Sequence, residues 1–198
     1  MKKLAIATLM PSLFFTAFSG HAAAPAITVD GGKIHFEGAV VAAPCAIDNT
    51  TDGQTVVLGQ VPASRLAAKG DTSSAVPFTI GLTGCDLSVV DPADDKKTVS
   101  YTSASIIFNG ATTGDDSTLA IQPASNGAGD TTSSAQNVGI QIFQNHKAVK
   151  VDGSTATAAQ KILGGNNRIP FSAAYVATAD GVVPGSASST VNFQINYE

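Results

Sequence analysis

Side chains able to do chemistry are few in this chain, and the two cysteines come first. Cys45 and Cys85 stand 40 residues apart. A zinc site would need more ligands than these and the scattered His35 and His146 can offer, and a redox pair is more often spaced Cys-x-x-Cys. In an oxidising compartment the expected product is a structural disulfide. Closing that separation constrains the unfolded chain by roughly 4 kcal/mol in the loop-entropy picture. Asp91, Asp94, Asp95, Asp115 and Asp116 lack the spacing of a calcium loop and read as solvated loop acids. No Gly-x-Ser-x-Gly, His-Glu-x-x-His or P-loop occurs. The sequence predicts no enzyme, no metal and no cofactor.

Whether the cysteines meet an oxidant depends on export, and the N-terminus addresses that. Lys2 and Lys3 precede an apolar run, Leu4 to Phe18, interrupted by Pro11 and followed by small residues. That run is short of the roughly 20 residues a membrane-spanning helix needs. Residues 1–22 therefore read as a signal peptide cleaved after Ala22. Loss of Lys2 and Lys3 reduces the basic side chains from 11 to 9 against 15 acidic ones, a formal charge of −6. An acidic chain without a basic patch is a poor nucleic-acid binder. About 176 residues remain, enough for one domain.

The elements that would hold the disulfide are short strands. Charged residues make up 13% of the chain, and Gly, Ser, Thr, Ala and Val dominate, which favours strands and turns. Strands are expected at Thr55–Leu58, Val76–Leu82, Thr98–Phe108, Gln136–Phe143 and Asn167–Thr178. A helical turn is expected within Val61–Lys69, loops at Asp91–Lys97 and Ser125–Ser134, a turn at Gly114–Asp116, and a hairpin through Asn145–His146 into Ala148–Val151. This spacing indicates an all-β sandwich.

Two alternations frame the domain. At the C-terminus Val191, Phe193, Ile195 and Tyr197 alternate with Asn192, Gln194, Asn196 and Glu198, an apolar face on a last strand with nothing after it to cover one edge. Near the N-terminus Gly32, Ile34, Phe36, Gly38 and Val40 alternate with Lys33, His35, Glu37, Ala39 and Val41. A period of two belongs to a strand burying one face, and a strand of that kind needs a sheet edge to join. The expected organisation is a signal peptide at 1–22, an extension at 23–43 and a domain at 44–198.

Val29 to Phe36, the cysteine pair, Val57-Leu58-Gly59-Gln60-Val61, Asn137 to Ile142, Ile169-Pro170-Phe171 and the ending Val191 to Tyr197 together resemble the major pilins of type 1 fimbriae, shaft subunits of the chaperone-usher pathway. The family pattern also asks for a penultimate tyrosine and a glycine fourteenth from the end, which Tyr197 and Gly185 supply. The resemblance implies an incomplete immunoglobulin-like β-sandwich completed by a donated N-terminal strand. The donor would present Gly32, Ile34, Phe36, Gly38 and Val40. The groove strand held by chaperone and neighbouring subunit would involve Gly185, Val191, Phe193, Ile195 and Tyr197.

The implied partners are other copies of the chain in a helical fibre, a periplasmic chaperone, an outer-membrane usher, and minor pilins with a tip adhesin. The implied location is the cell-surface fimbrium, reached through the periplasm. A rival reading is a secreted β-sandwich binding module, or a minor or tip component that recognises glycans. The absence of Trp and the single domain behind a donor-like extension speak against it.

Overall fold

A computed structural model describes residues 31–36, 38, 40, 42–48, 53–91, 93–122 and 133–198. The expected signal peptide and most of the expected loop at Ser125–Ser134 lie outside the described residues. The chain divides into two units, Met1–Ala39 and Val40–Glu198.

Among the described residues the larger unit holds eleven strands: β1 Ala46–Ile47, β2 Val76–Cys85, β3 Ser88–Asp91, β4 Asp94–Ser100, β5 Ser103–Gly110, β6 Thr118–Ala120, β7 Val138–Gln144, β8 Lys147–Ala148, β9 Gln160–Lys161, β10 Gly165–Ala177 and β11 Val191–Tyr197. One sheet runs β1-β2-β10-β7-β6, with β8 also on β7, and the opposing sheet runs β11-β5-β9. All the pairings between named strands are antiparallel, and the sandwich is all-β with an incomplete immunoglobulin-like plan.

Alternation sets which faces meet. Ile80 and Leu82 of β2, Ile140 and Ile142 of β7, and Ile169 and Phe171 of β10 point inward against Ile106 and Phe108 of β5, all of them buried. The Phe108 and Phe171 rings meet edge-on across the sandwich at 5.2 Å, and Phe78 stacks on Phe171 at 5.7 Å, geometries that aromatic quadrupoles favour. Pro170 lies inside β10, which carries β2 on one edge and β7 on the other. Its register partner is Thr79 of β2, and pairing to β7 begins only at Ser172, so the missing N–H interrupts no ladder shared with β7. The Cys45–Cys85 disulfide forms as expected, joining the start of this unit to the end of β2.

Several elements differ from the sequence reading. Asp91–Lys97 is not a loop: it supplies the end of β3 and much of β4, a two-stranded sheet of its own. Its side chains are mostly exposed on both faces, so no apolar period betrays it. Thr98–Phe108 is two strands, because Tyr101 N–H is donated to Leu87 O and Thr102 N–H to Glu198 O. Thr55–Leu58 forms no strand. The alternation at β7 is only partly real. Gly139 is buried on the side expected to be polar, where a Cβ would run into Thr118 and Leu119 of β6, while Asn137 sits ahead of the strand at φ 59°. The helical turn is a single 3-10 turn at Ala63–Leu66. The Asn145–His146 hairpin is present, both residues at positive φ, as a type I′ turn requires.

Candidate functional site

The final strand pairs along its whole length on one edge only. β11 runs antiparallel to β5 from Val191 opposite Gly110 to Tyr197 opposite Ala104, and no described strand pairs with its other edge. Its polar residues Asn192, Gln194, Asn196 and Glu198 are exposed, while Val191, Phe193, Ile195 and Tyr197 are half-buried against the core. Directly across the ladder the burial is complete: Ile106 is 0% and Phe108 2% exposed, opposite Ile195 and Phe193. Neighbouring strands are about 4.8 Å apart, so the core goes from sealed to open within one strand spacing. The opening is at β11.

The far end of this strand is firmly held. Tyr197 OH donates to Cys45 O at 3.5 Å, and its ring meets Tyr101 edge-on at 6.0 Å. Burial pushes the Tyr197 phenol above its ordinary range. Glu198 closes the strand end, donating its N–H to Ser103 O and accepting from the N–H groups of Thr102 and Ser103. Gly185 lies ahead of β11, where residues 183–186 cross 133–136. Ala135 N–H is donated to Ser186 O, and Ser186 N–H to Ser133 O. A Cβ on Gly185 would run into the backbone of Ser133, Ser134 and Ala135, so the close approach requires glycine.

Among the described residues of the smaller unit, Ile34 is 79% and Phe36 89% exposed, and Val40, at the start of the larger unit, is fully exposed. Large apolar side chains left in water at alternate positions are a feature of interaction surfaces. The profile of the fimbrial protein family matches residues 34–198. The chain belongs to that family. It is 40% identical over 200 residues to the type-1 fimbrial protein A chain of Escherichia coli K12, covering 100% of this chain and 99% of that one. It is 37% identical over 199 residues to the type 1 fimbrial subunit of Klebsiella pneumoniae, with 100% and 99% covered. Among solved structures it resembles a subunit of a chaperone-usher pilus, TM-score 0.66 at 26% identity, covering 88% of this chain and 100% of that one. The P pilus rod subunit shares the fold, TM-score 0.60 at 22% identity, with 79% and 100% covered.

This fimbrial subunit uses its remaining polar chemistry locally. Asp91 pairs with Lys97 at 3.4 Å and Asp116 with Lys150 at 2.8 Å. Asp115 accepts from Thr118 Oγ1 and from Ser117, which lowers its carboxyl below the ordinary range. Asp94 accepts from Lys96 N–H. His146 sits in the β7–β8 turn and His35 is exposed on the extension. Among the described residues no three His, Cys, Asp or Glu side chains converge as metal ligands. A feature the sequence reading missed is a second edge that no described strand pairs along most of its length. β1 covers β2 only at Leu82 and Thr83, and an open cleft of about 360 Å³ separates Val76–Thr79 from Gln54–Val57. The exposed Val57 borders it, and no period in the sequence announces it.

Proposed function

We propose that this chain is a shaft subunit of a surface fimbria, polymerising head-to-tail after export by a chaperone and an outer-membrane usher. One observation carries the proposal: the half-covered apolar face of β11 and the alternating exposed Ile34, Phe36 and Val40 are complementary in kind. The donor residues Gly32, Ile34, Phe36, Gly38 and Val40 enter the groove beside β11 of the next copy, pairing backbone to backbone and covering Val191, Phe193, Ile195 and Tyr197. Each copy is donor to one neighbour and acceptor to another, so the contact is heterologous and builds an open filament. Before assembly the chaperone holds the same edge, and minor pilins with a tip adhesin complete the fibre and its role in adhesion.

Electron microscopy of surface appendages tests this reading in cells that carry the chain, lack it, or carry Ile34→Asp. Fibres are expected only with the wild-type chain. Undiminished fibres without the chain would instead favour a secreted glycan-binding module.

A further inference from the structure

The two sulfurs of the disulfide sit in unequal surroundings. Asn167 Nδ2 donates to Cys85 Sγ at 3.4 Å and to Leu163 O at 2.7 Å, and Asn167 Oδ1 accepts from Leu163 N–H at 2.9 Å. The amide is thereby pinned at both ends and cannot turn its donor away from the sulfur. Gly165 pairs with Cys85 in register, so the start of β10, which carries Asn167, is tied to the same cysteine. On Cys45 the described residues place a hydrogen bond at the backbone carbonyl, from Tyr197 OH, and none at the sulfur. A hydrogen bond to a sulfur that is becoming a thiolate favours the charged form.

The two cysteines also differ in how easily they move. Cys85 ends the ten-residue β2, paired along its length with β10. Cys45 precedes β1, which holds only Ala46 and Ile47; among the described residues this segment is otherwise tied by Asp86 N–H to Pro44 O ahead of it and Asp48 N–H to Gly81 O after it. Both cysteines are buried, at 3% and 7% exposed, so an attacking thiolate must wait for a local opening. A two-residue strand opens at lower cost than the ten-residue β2, and its opening carries Cys45 outward.

We infer that Cys45 Sγ is the site of thiol–disulfide exchange in this chain, with Cys85 as the departing and resolving sulfur positioned by Asn167. An incoming thiolate, from a dithiol oxidoreductase or a small thiol, attacks Cys45 Sγ. The Cys45–Cys85 bond breaks, its electron pair goes to Cys85 Sγ, and the Asn167 amide N–H stabilises that thiolate while Cys45 carries the mixed disulfide. Bond formation is the reverse: the Cys85 thiolate attacks Cys45 Sγ of the mixed disulfide and expels the carrier thiolate. Leaving-group acidity governs which sulfur departs, and the residue that sets it is Asn167.

The oxidised mature chain is incubated briefly with excess 2-mercaptoethanol, quenched with acid and alkylating agent, and digested. Mass spectrometry then locates the mercaptoethanol adduct. It is expected on the Cys45 peptide at least about fivefold more often than on the Cys85 peptide, given the strength of hydrogen bonds to charged acceptors. Asn167→Asp keeps the acceptor for Leu163 N–H and replaces the donor with a carboxylate, so the adduct ratio should fall to one or below. Asn167→Ala should also lower the ratio. Because exchange through an unfolded chain would also erase the bias, the ratio is read under conditions where total adduct matches that of the wild-type chain, and an unchanged ratio there overturns the role of Asn167. An adduct mainly on Cys85 in the wild-type chain overturns the inference as a whole.

Discussion

Replacing Ile34 with Asp in a donor peptide should abolish its ability to enter the groove, and the size of the effect follows from exposure in the single chain. Ile34 is 79% exposed, so nearly all of its transfer free energy is still available to be gained on insertion. Burying a large aliphatic side chain stabilises by roughly 1.5–3 kcal/mol. In the proposed groove the carboxylate forfeits that and is itself placed, unpaired, against the apolar face of β11, at a further cost of several kcal/mol. Discounting for solvent that still reaches this open edge, the two together come to about 4 kcal/mol or more, near a thousandfold in affinity. Purified chaperone–subunit complex is mixed with peptides spanning Ala26 to Ala42, and release of the chaperone is followed on a native gel. The wild-type peptide should displace chaperone and the Ile34→Asp peptide should not. A Lys33→Ser peptide, altered on the opposite face, should behave as wild type. Equal displacement by the wild-type and Ile34→Asp peptides would refute the assignment of the inward face.

Tyr197→Ala combined with Phe193→Ser should lower the periplasmic level of the subunit, because a chaperone has less apolar face to hold and the exposed chain aggregates or is degraded; unchanged co-purification with chaperone would count against it. Gly185→Ala should destabilise the domain by about 1–3 kcal/mol, as overpacking against backbone does, read as a lower denaturant midpoint for the peptide-complemented subunit. Burial raises the Tyr197 phenol, so the stability it contributes is present below the ordinary tyrosine range and is lost as pH rises through the shifted value. Tyr197→Phe should accordingly flatten the alkaline limb of a stability-against-pH curve, and an unaltered limb would assign that loss to other groups such as Tyr175, raised for the same reason.

Where an element buries one face, the sequence announces it. β2, β10 and β11 follow from their period of two because Ile80, Leu82, Ile169, Phe171, Phe193 and Ile195 lie on the faces that meet or approach the core. The β3–β4 hairpin stayed hidden for the opposite reason, since Asp94 to Lys97 are all exposed and are held by backbone pairing and surface polar contacts rather than by an apolar face. The division at Tyr101–Thr102 is invisible locally because its cause, the carbonyl of Glu198, lies 96 residues away in sequence. Gly185 was legible as a glycine at a set distance from the end, while its reason, the passing backbone of Ser133–Ala135, could come only from the fold.

The remaining discrepancy is the informative one. Thr55–Leu58 and Gly32–Val40 both have the composition or period of strands, and the described residues of neither stretch form one. Alternation encodes a capacity to pair, whereas a strand exists only where an edge is supplied. In the core the two coincide, because the edge is on the same chain. At Ile34, Phe36 and Val40 they part, and the side chains a strand would bury are left 79% or more exposed. A soluble domain would lose such residues to aggregation unless something else covered them. The pattern is sustainable in a chain whose missing edge is supplied by another molecule, and β11 offers an edge of that kind, apolar on one side and unpaired among the described strands. A strand pattern that forms no strand among the described residues, set against an apolar edge that no described strand pairs, is what the proposed assembly requires.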